Sequence, residues 1–177
     1  MPTLSPVAQK FILHCGEMGT RWGINRTVAQ VHALLLLSEA PLPADEIAET
    51  LHIARSNTSN SLRELQNWGI VRVVHVMQDR RDHFTAMQDV FAMFRAIAHQ
   101  RKKREIDPTV HVLRDCLAEA DKPKAADSYT RDRLAELLDF FELAGAAYER
   151  LENLPTPAVV KLARLGDKAL RMVGISK

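Results

Sequence analysis

Apolar positions recur every three or four residues through most of the chain, and breaker residues separate the runs. Val7, Phe11, Cys15 and Met18 predict an amphipathic first helix that stops near Gly16–Gly19. Asn25 is placed to cap a second helix, whose run through Leu37 is too apolar for a surface helix. Pro41 and Pro43 break the chain there. Ala44 to Leu51 reads as a short helix, with Asp45 and Glu46 suiting its positive N-terminal end. After a turn around His52–Ala54, a further helix runs from Arg55 to Trp68 and ends at Gly69. The period then changes. Ile70 to Met77 is rich in valine, His83 to Ala86 contains Phe and Thr, and the polar stretch Gln78–Asp82 lies between them. This pattern predicts a two-stranded hairpin with a charged tip. Helical spacing returns with Val90, Phe94 and Ile97, in a helix expected to end at Arg101–Arg104, where basic groups complement the dipole. Asp107 and Pro108 read as the N-cap and first residue of another helix through Ala120. A linker from Lys122 to Asp127, containing Pro123, precedes an apolar stripe of Leu134, Leu137, Leu138, Phe141, Ala144, Tyr148 and Leu151. Pro155 and Pro157 set off a last helix carrying Val159, Leu162, Ala163, Ala169, Leu170 and Val173. There is no internal repeat.

Composition narrows the class. The 177 residues are 46% hydrophobic and 26% charged, as in ordinary globular proteins. No apolar run approaches the roughly 20 residues of a membrane span, and MPTLSPVAQKF lacks the basic and apolar regions of a secretion signal. Two cysteines, Cys15 and Cys116, cannot form a disulfide framework, so a cytoplasmic location is expected. The net charge of +2 is uninformative, and residues 1–87 balance eight basic against eight acidic groups. A nucleic-acid role must therefore rest on where particular charges sit.

Helix, short helix, tight turn, helix and hairpin is the order of a winged helix-turn-helix. On the Arg55–Trp68 helix, Thr58, Leu62 and Leu65 share a face that can pack on Ile47, Ala48 and Leu51. Opposite lie Ser56, Asn60, Arg63 and Asn67, flanked by Asn57 and Ser59, with no acid among them. Surface helices selected for solubility mix in Glu and Lys. Short hydrogen-bonding side chains instead let a backbone approach DNA, where Asn can bridge adenine N6 and N7 and Arg can reach guanine or phosphate. The competing reading is a solvated, capped helix face. Arg80 and Arg81 at the hairpin tip add weight to DNA, with Asp79 and Asp82 placed to hold them. The expected fold is mainly α with a small β-hairpin wing: a winged helix-turn-helix followed by C-terminal dimerisation helices. The expected division is residues 1–20 as an N-terminal dimer-contact helix, 21–88 as the DNA-binding domain and 89–177 as a helical dimerisation and effector region.

The stretch WGINRTVAQVHALLLLSEAPLPADEIAETLHIARSNTSNSLRELQNWGIVRVV resembles the DNA-binding region of the GbsR branch of MarR-type transcriptional regulators, as do QDRRDHF and RKKREIDP. The resemblance covers residues 10–120. It implies a homodimeric winged-helix repressor or activator on a pseudo-palindromic operator in double-stranded DNA, with repression the expected sense. Ser56, Asn57, Ser59, Asn60 and Arg63, preceded by Arg55, match the family's groove-facing helix, and Arg80 and Arg81 match its wing tip. Thr58 departs from the buried aliphatic residue usual there, so its hydroxyl needs a partner such as the carbonyl one turn back. His83–Phe84 stands where the family often has paired tyrosines.

Other chemistry is thinly represented. The histidines show no helical i, i+4 pair, and His75 with His83 across the hairpin would supply only two ligands, so no metal or other cofactor is expected. Cys15 and Cys116 fall on apolar helix faces away from basic clusters, which favours inert thiols over redox sensors. Trp22, Phe91, Phe94, Phe140, Phe141 and Tyr148 read first as core. The alternative is an aromatic pocket for a small-molecule effector such as choline, in a crevice beside the winged domain. No GxSxG, phosphate loop or dinucleotide fingerprint supports an enzyme. A winged helix that docks protein without sequence-specific DNA binding is the alternative to a regulator.

Overall fold

The computed structural model describes residues 4–122 and 127–172, with side chains at 163, 164 and 167–172 excluded. Pro123, Val173 and the side chains of Ala163, Ala169 and Leu170 therefore lie outside the described residues. The chain forms two compact units, one running through Ile97 and one beginning at Ala98.

In the first unit, α1 (Pro6–Arg21) is capped by Ser5, whose side chain accepts from the Ala8 amide, and packs along α2 (Arg26–Leu37). Contrary to expectation, α1 does not stop at Gly16–Gly19. Those two glycines are buried where α2 comes closest: a Cβ on Gly19 would lie 2.7 Å from the Ala29 Cβ. The helix ends at Trp22 and Gly23, the latter at φ +71°. Its inner face is also offset from the expected series, with Ile12 buried but Val7 and Phe11 exposed. Asn25 caps α2, its Oδ1 accepting from the Thr27 amide at 2.8 Å. Val31, Leu34 and Leu35 of α2 are almost fully buried. Full burial of each such side chain stabilises by about 1.5–3 kcal/mol, before the entropy of ordering the chain is set against it.

Two helices and a small sheet complete this unit. They are α3 (Ala44–Leu51), α4 (Arg55–Asn67), β2 (Val71–Val74) and β3 (His83–Ala86), joined by β1 (Leu42–Pro43). The sheet is antiparallel in the order β1-β3-β2, with Leu42 opposite Phe84 and Val71 opposite Ala86. The hairpin thus gains a third strand from a segment expected to be only a break. Pro43 is tolerated because β1 lies at the sheet edge, where a missing N–H costs little. His52 turns α3 into α4 in the left-handed region (φ 52°), and Gly69 (φ +73°) follows the end of α4. Ile47, Leu62, Leu65, Ile70, Phe84 and Met93 join the α2 residues in one core.

The unit boundary falls within α5 (Val90–Arg101), and the helical chain continues into the second unit. The basic run Arg101–Arg104 is not a helix terminus, and Asp107 is not a cap. A π-helical turn, Lys102–Ile106, leads directly into α6 (Asp107–Ala120), with the Asp107 amide donating to the Lys102 carbonyl. In a regular helix the Pro108 ring would strike the Arg104 carbonyl, and widening the preceding turn accommodates it. Three of the run's four basic side chains are paired: Lys102 with Asp107 at 2.9 Å and Glu149 at 3.3 Å, and Arg101 and Arg104 with Glu105. Next come α7 (Ser128–Glu152), capped by Asp127, and α8 (Thr156–Met172). Helix α7 has two apolar faces rather than one stripe. Leu134, Leu138, Phe141 and Tyr148 are half-buried, whereas Leu137, Phe140, Leu143, Ala144 and Leu151 are exposed.

Candidate nucleic-acid interface

Helix α4 is anchored by its inner side. Thr58, Leu62 and Leu65 are at most 2% exposed, and Ser61 joins them. The Thr58 hydroxyl donates to the Ala54 carbonyl at 3.3 Å, so a polar group sits at an aliphatic position without an unmet hydrogen bond. Each residue expected to face a groove is on the outer side: Arg55, Ser56, Asn57, Ser59, Asn60 and Arg63 are all exposed. Arg63 Nη1 donates to Asn60 Oδ1 at 3.3 Å, which brings two of the candidate base readers together. Pattern reading passed over Glu64. It follows Asn60 by one turn on the polar side, half-buried, so the acid-free surface is confined to Arg55–Arg63. That is the N-terminal part of the helix, the part a recognition helix presents to base edges.

The wing is held from below. Its tip turns through Val76–Asp79, closed by the Asp79 amide donating to the Val76 carbonyl, with Gln78 at φ 69° and Met77 90% exposed. Arg80 is exposed and makes no hydrogen bond or ion pair with the described residues. Arg81 is exposed too, but it is paired on every side of its head group. Its guanidinium donates to Asp79 Oδ2 at 2.7 Å, Asp45 Oδ2 at 2.9 Å and Glu46 Oε1 at 3.3 Å, and its amide donates to Asp79 Oδ1. These hydrogen bonds hold the Asp79 carboxyl down to about 2 and raise the guanidinium further above its ordinary range. At Asp45 desolvation pushes the carboxyl up, but the Arg81 hydrogen bond and charge outweigh it and the net direction is down. His83 is buried beneath, with Nδ1 2.9 Å from the Arg81 carbonyl and Nε2 3.4 Å from Asp79. Arg81 and Asp45 share a cleft of 460 Å³ with Arg55 and Ser59, which places the wing cluster beside the first turn of α4. Asp82 lies 4.0 Å from His75 instead of bracing an arginine.

The remaining candidates separate. His83 pairs with Val74, which leaves His75 outside the ladder, and among the described residues no group of three or more His, Cys, Asp or Glu could hold a metal ion. Cys15 and Cys116 are half-buried, and desolvation pushes the Cys15 thiol up, away from the reactive thiolate. The six aromatic residues divide between the units. Trp22, Phe91 and Phe94 are half or more exposed in the first, and Phe140, Phe141 and Tyr148 line a 320 Å³ groove in the second with Ala144 and Ile106. No described helix is long and apolar enough to cross a membrane.

Residues 22–82 match the MarR family. Over 136 residues, 75% of each chain, the sequence is 23% identical to the HTH-type transcriptional repressor GbsR of Bacillus subtilis strain 168. A crystal structure of a transcriptional regulator superimposes with a TM-score of 0.65 at 19% identity, over 83% of this chain and 96% of that one. It has the same fold.

Proposed function

We propose that this chain, a MarR/GbsR-type winged-helix protein and hence a DNA-binding transcriptional regulator rather than an enzyme, acts in the cytoplasm as a homodimer on a pseudo-palindromic operator. The observation that carries this reading is the exposed, acid-free surface Arg55–Arg63 on a helix whose opposite side is fully buried. The helix enters a major groove with Ser56, Asn57, Ser59, Asn60 and Arg63 toward base edges. Arg55 and the wing arginines Arg80 and Arg81 lie beside it, with the wing toward the flanking minor groove. One winged helix makes few phosphate contacts. Two linked copies on adjacent half-sites multiply their affinities, and the exposed apolar face of α7 supports such a pairing. Repression is the sense carried by the Bacillus relative's name. A small-molecule effector releases the operator only by binding one spacing of the two recognition helices better than another. Titration calorimetry with choline or betaine tests the quaternary-ammonium version.

Selection of bound duplexes from a random pool at about physiological salt tests the whole reading. The expected result is an inverted repeat with half-site centres about one helical turn, roughly 34–36 Å, apart. Recovery of no enriched sequence would replace it with the protein-docking alternative. On the selected operator, Asn60→Ala should cost about 1–3 kcal/mol and relax preference at one base position. Unchanged discrimination would remove Asn60 from the base readers.

A further inference from the structure

The two wing arginines are adjacent in sequence, yet they meet different surroundings. Both are exposed, but Arg80 has no partner among the described residues, whereas Arg81, its side chain 46% exposed, is drawn onto three carboxylates. Two of those carboxylates, Asp45 and Glu46, belong to the first turn of α3, where they suit the helix dipole. Asp45 borders the same cleft as Arg55 and Ser59, so a negative pair sits beside the surface assigned to DNA. Left bare, it would face a phosphate backbone of the same sign.

We propose that Arg81 is a positioning residue: it clamps the wing onto α3 and masks the Asp45–Glu46 charges from the DNA backbone, leaving Arg80 as the wing's DNA-facing cation. The proposal rests on the DNA-binding reading above and assigns the two arginines separate tasks within it. Geometry favours arginine for the clamp. A planar guanidinium can satisfy Asp45, Glu46 and Asp79 at once, whereas a lysine ammonium would be a single point charge on a flexible stem. The Asp79 carboxylate takes both the Arg81 amide and its side chain, which fixes the residue's backbone as well as its head group. Burial of His83 under the same loop, with its ring nitrogen on the Arg81 carbonyl, holds the segment from the strand side.

The test is a cycle of variants in the full-length chain, titrated against the selected operator. Arg81→Gln should lower affinity about tenfold or more, because it exposes like charges at the interface. The Asp45→Asn, Glu46→Gln double variant should bind at least as well as the wild type. In that neutral background Arg81→Gln should change affinity by no more than about twofold, the non-additivity expected of groups that act on one another. Arg80→Gln should instead weaken binding equally in both backgrounds and reduce the salt slope by about one unit, as a phosphate contact does. An equal loss for Arg81→Gln in the two backgrounds would show that Arg81 itself touches DNA, and no loss in the native background would show that the clamp has no role. Either result overturns the assignment. Thermal unfolding of every variant separates a lost interface from a lost fold. Wild-type protein that fails to bind the operator would sink the parent reading, and this inference with it.

Discussion

His32 lies in α2 with its Nε2 buried and without a hydrogen-bond partner among the described residues. Desolvation lowers its imidazole from 6.5 to about 4, so the folded protein holds it neutral. Above pH 6.5 neither state carries the proton. Between 6.5 and about 4 the unfolded chain takes it up and the folded chain does not, so acidification removes up to about 3 kcal/mol of stability. Urea unfolding of the wild type and His32→Leu across that range should show the excess loss in the wild type only, and parallel curves would refute it. Single residues also show how far sequence reasoning reaches. Thr58 was legible as a polar group needing a nearby carbonyl, because its partner Ala54 is one turn away. The partners of Arg81 on α3 are 35 and 36 positions distant, and no local pattern announces such a pairing.

Elements were legible where a local signal fixes them, as with the Asn25 cap, the run of α3 and the glycine after α4. They were misread where a residue's role is set by what packs against it. Gly16 and Gly19 have the composition of a stop, yet they let two helices approach. Leu42–Pro43 looks like a break because strand pairing is not local, and Pro108 looks like a helix start because a π-turn is invisible to periodicity. The glycine role has a measurable sign. Alanine in a helix ordinarily gains up to about 1 kcal/mol over glycine. Gly145→Ala, whose new Cβ would meet only the Lys102 Cε at 3.8 Å, should stabilise by about that much. Gly19→Ala meets the Ala29 Cβ at 2.7 Å and should instead destabilise by roughly 1–2 kcal/mol, because overpacking outweighs propensity. Thermal unfolding of the pair would contradict this if both moved the same way.

At the scale of the whole molecule, α7 leaves Leu137, Phe140, Leu143 and Leu151 between 46% and 70% exposed, an apolar face open to a partner. If a second copy covers that face, the unfolding midpoint should rise with protein concentration. Leu143→Asp should then sediment as a monomer and lose most of its operator affinity, while the first unit keeps its fold. A midpoint independent of concentration would count against the pairing. Strand β1 is two residues long and ends in a proline, and it occupies one of the two outer positions of the sheet. A strand that short, with one amide missing, is a poor template for further strands. Copies brought close together, as they would be on DNA under the proposed function, are thereby discouraged from pairing edge to edge on that side, and the sheet beside α4 does not become a seed for aggregation.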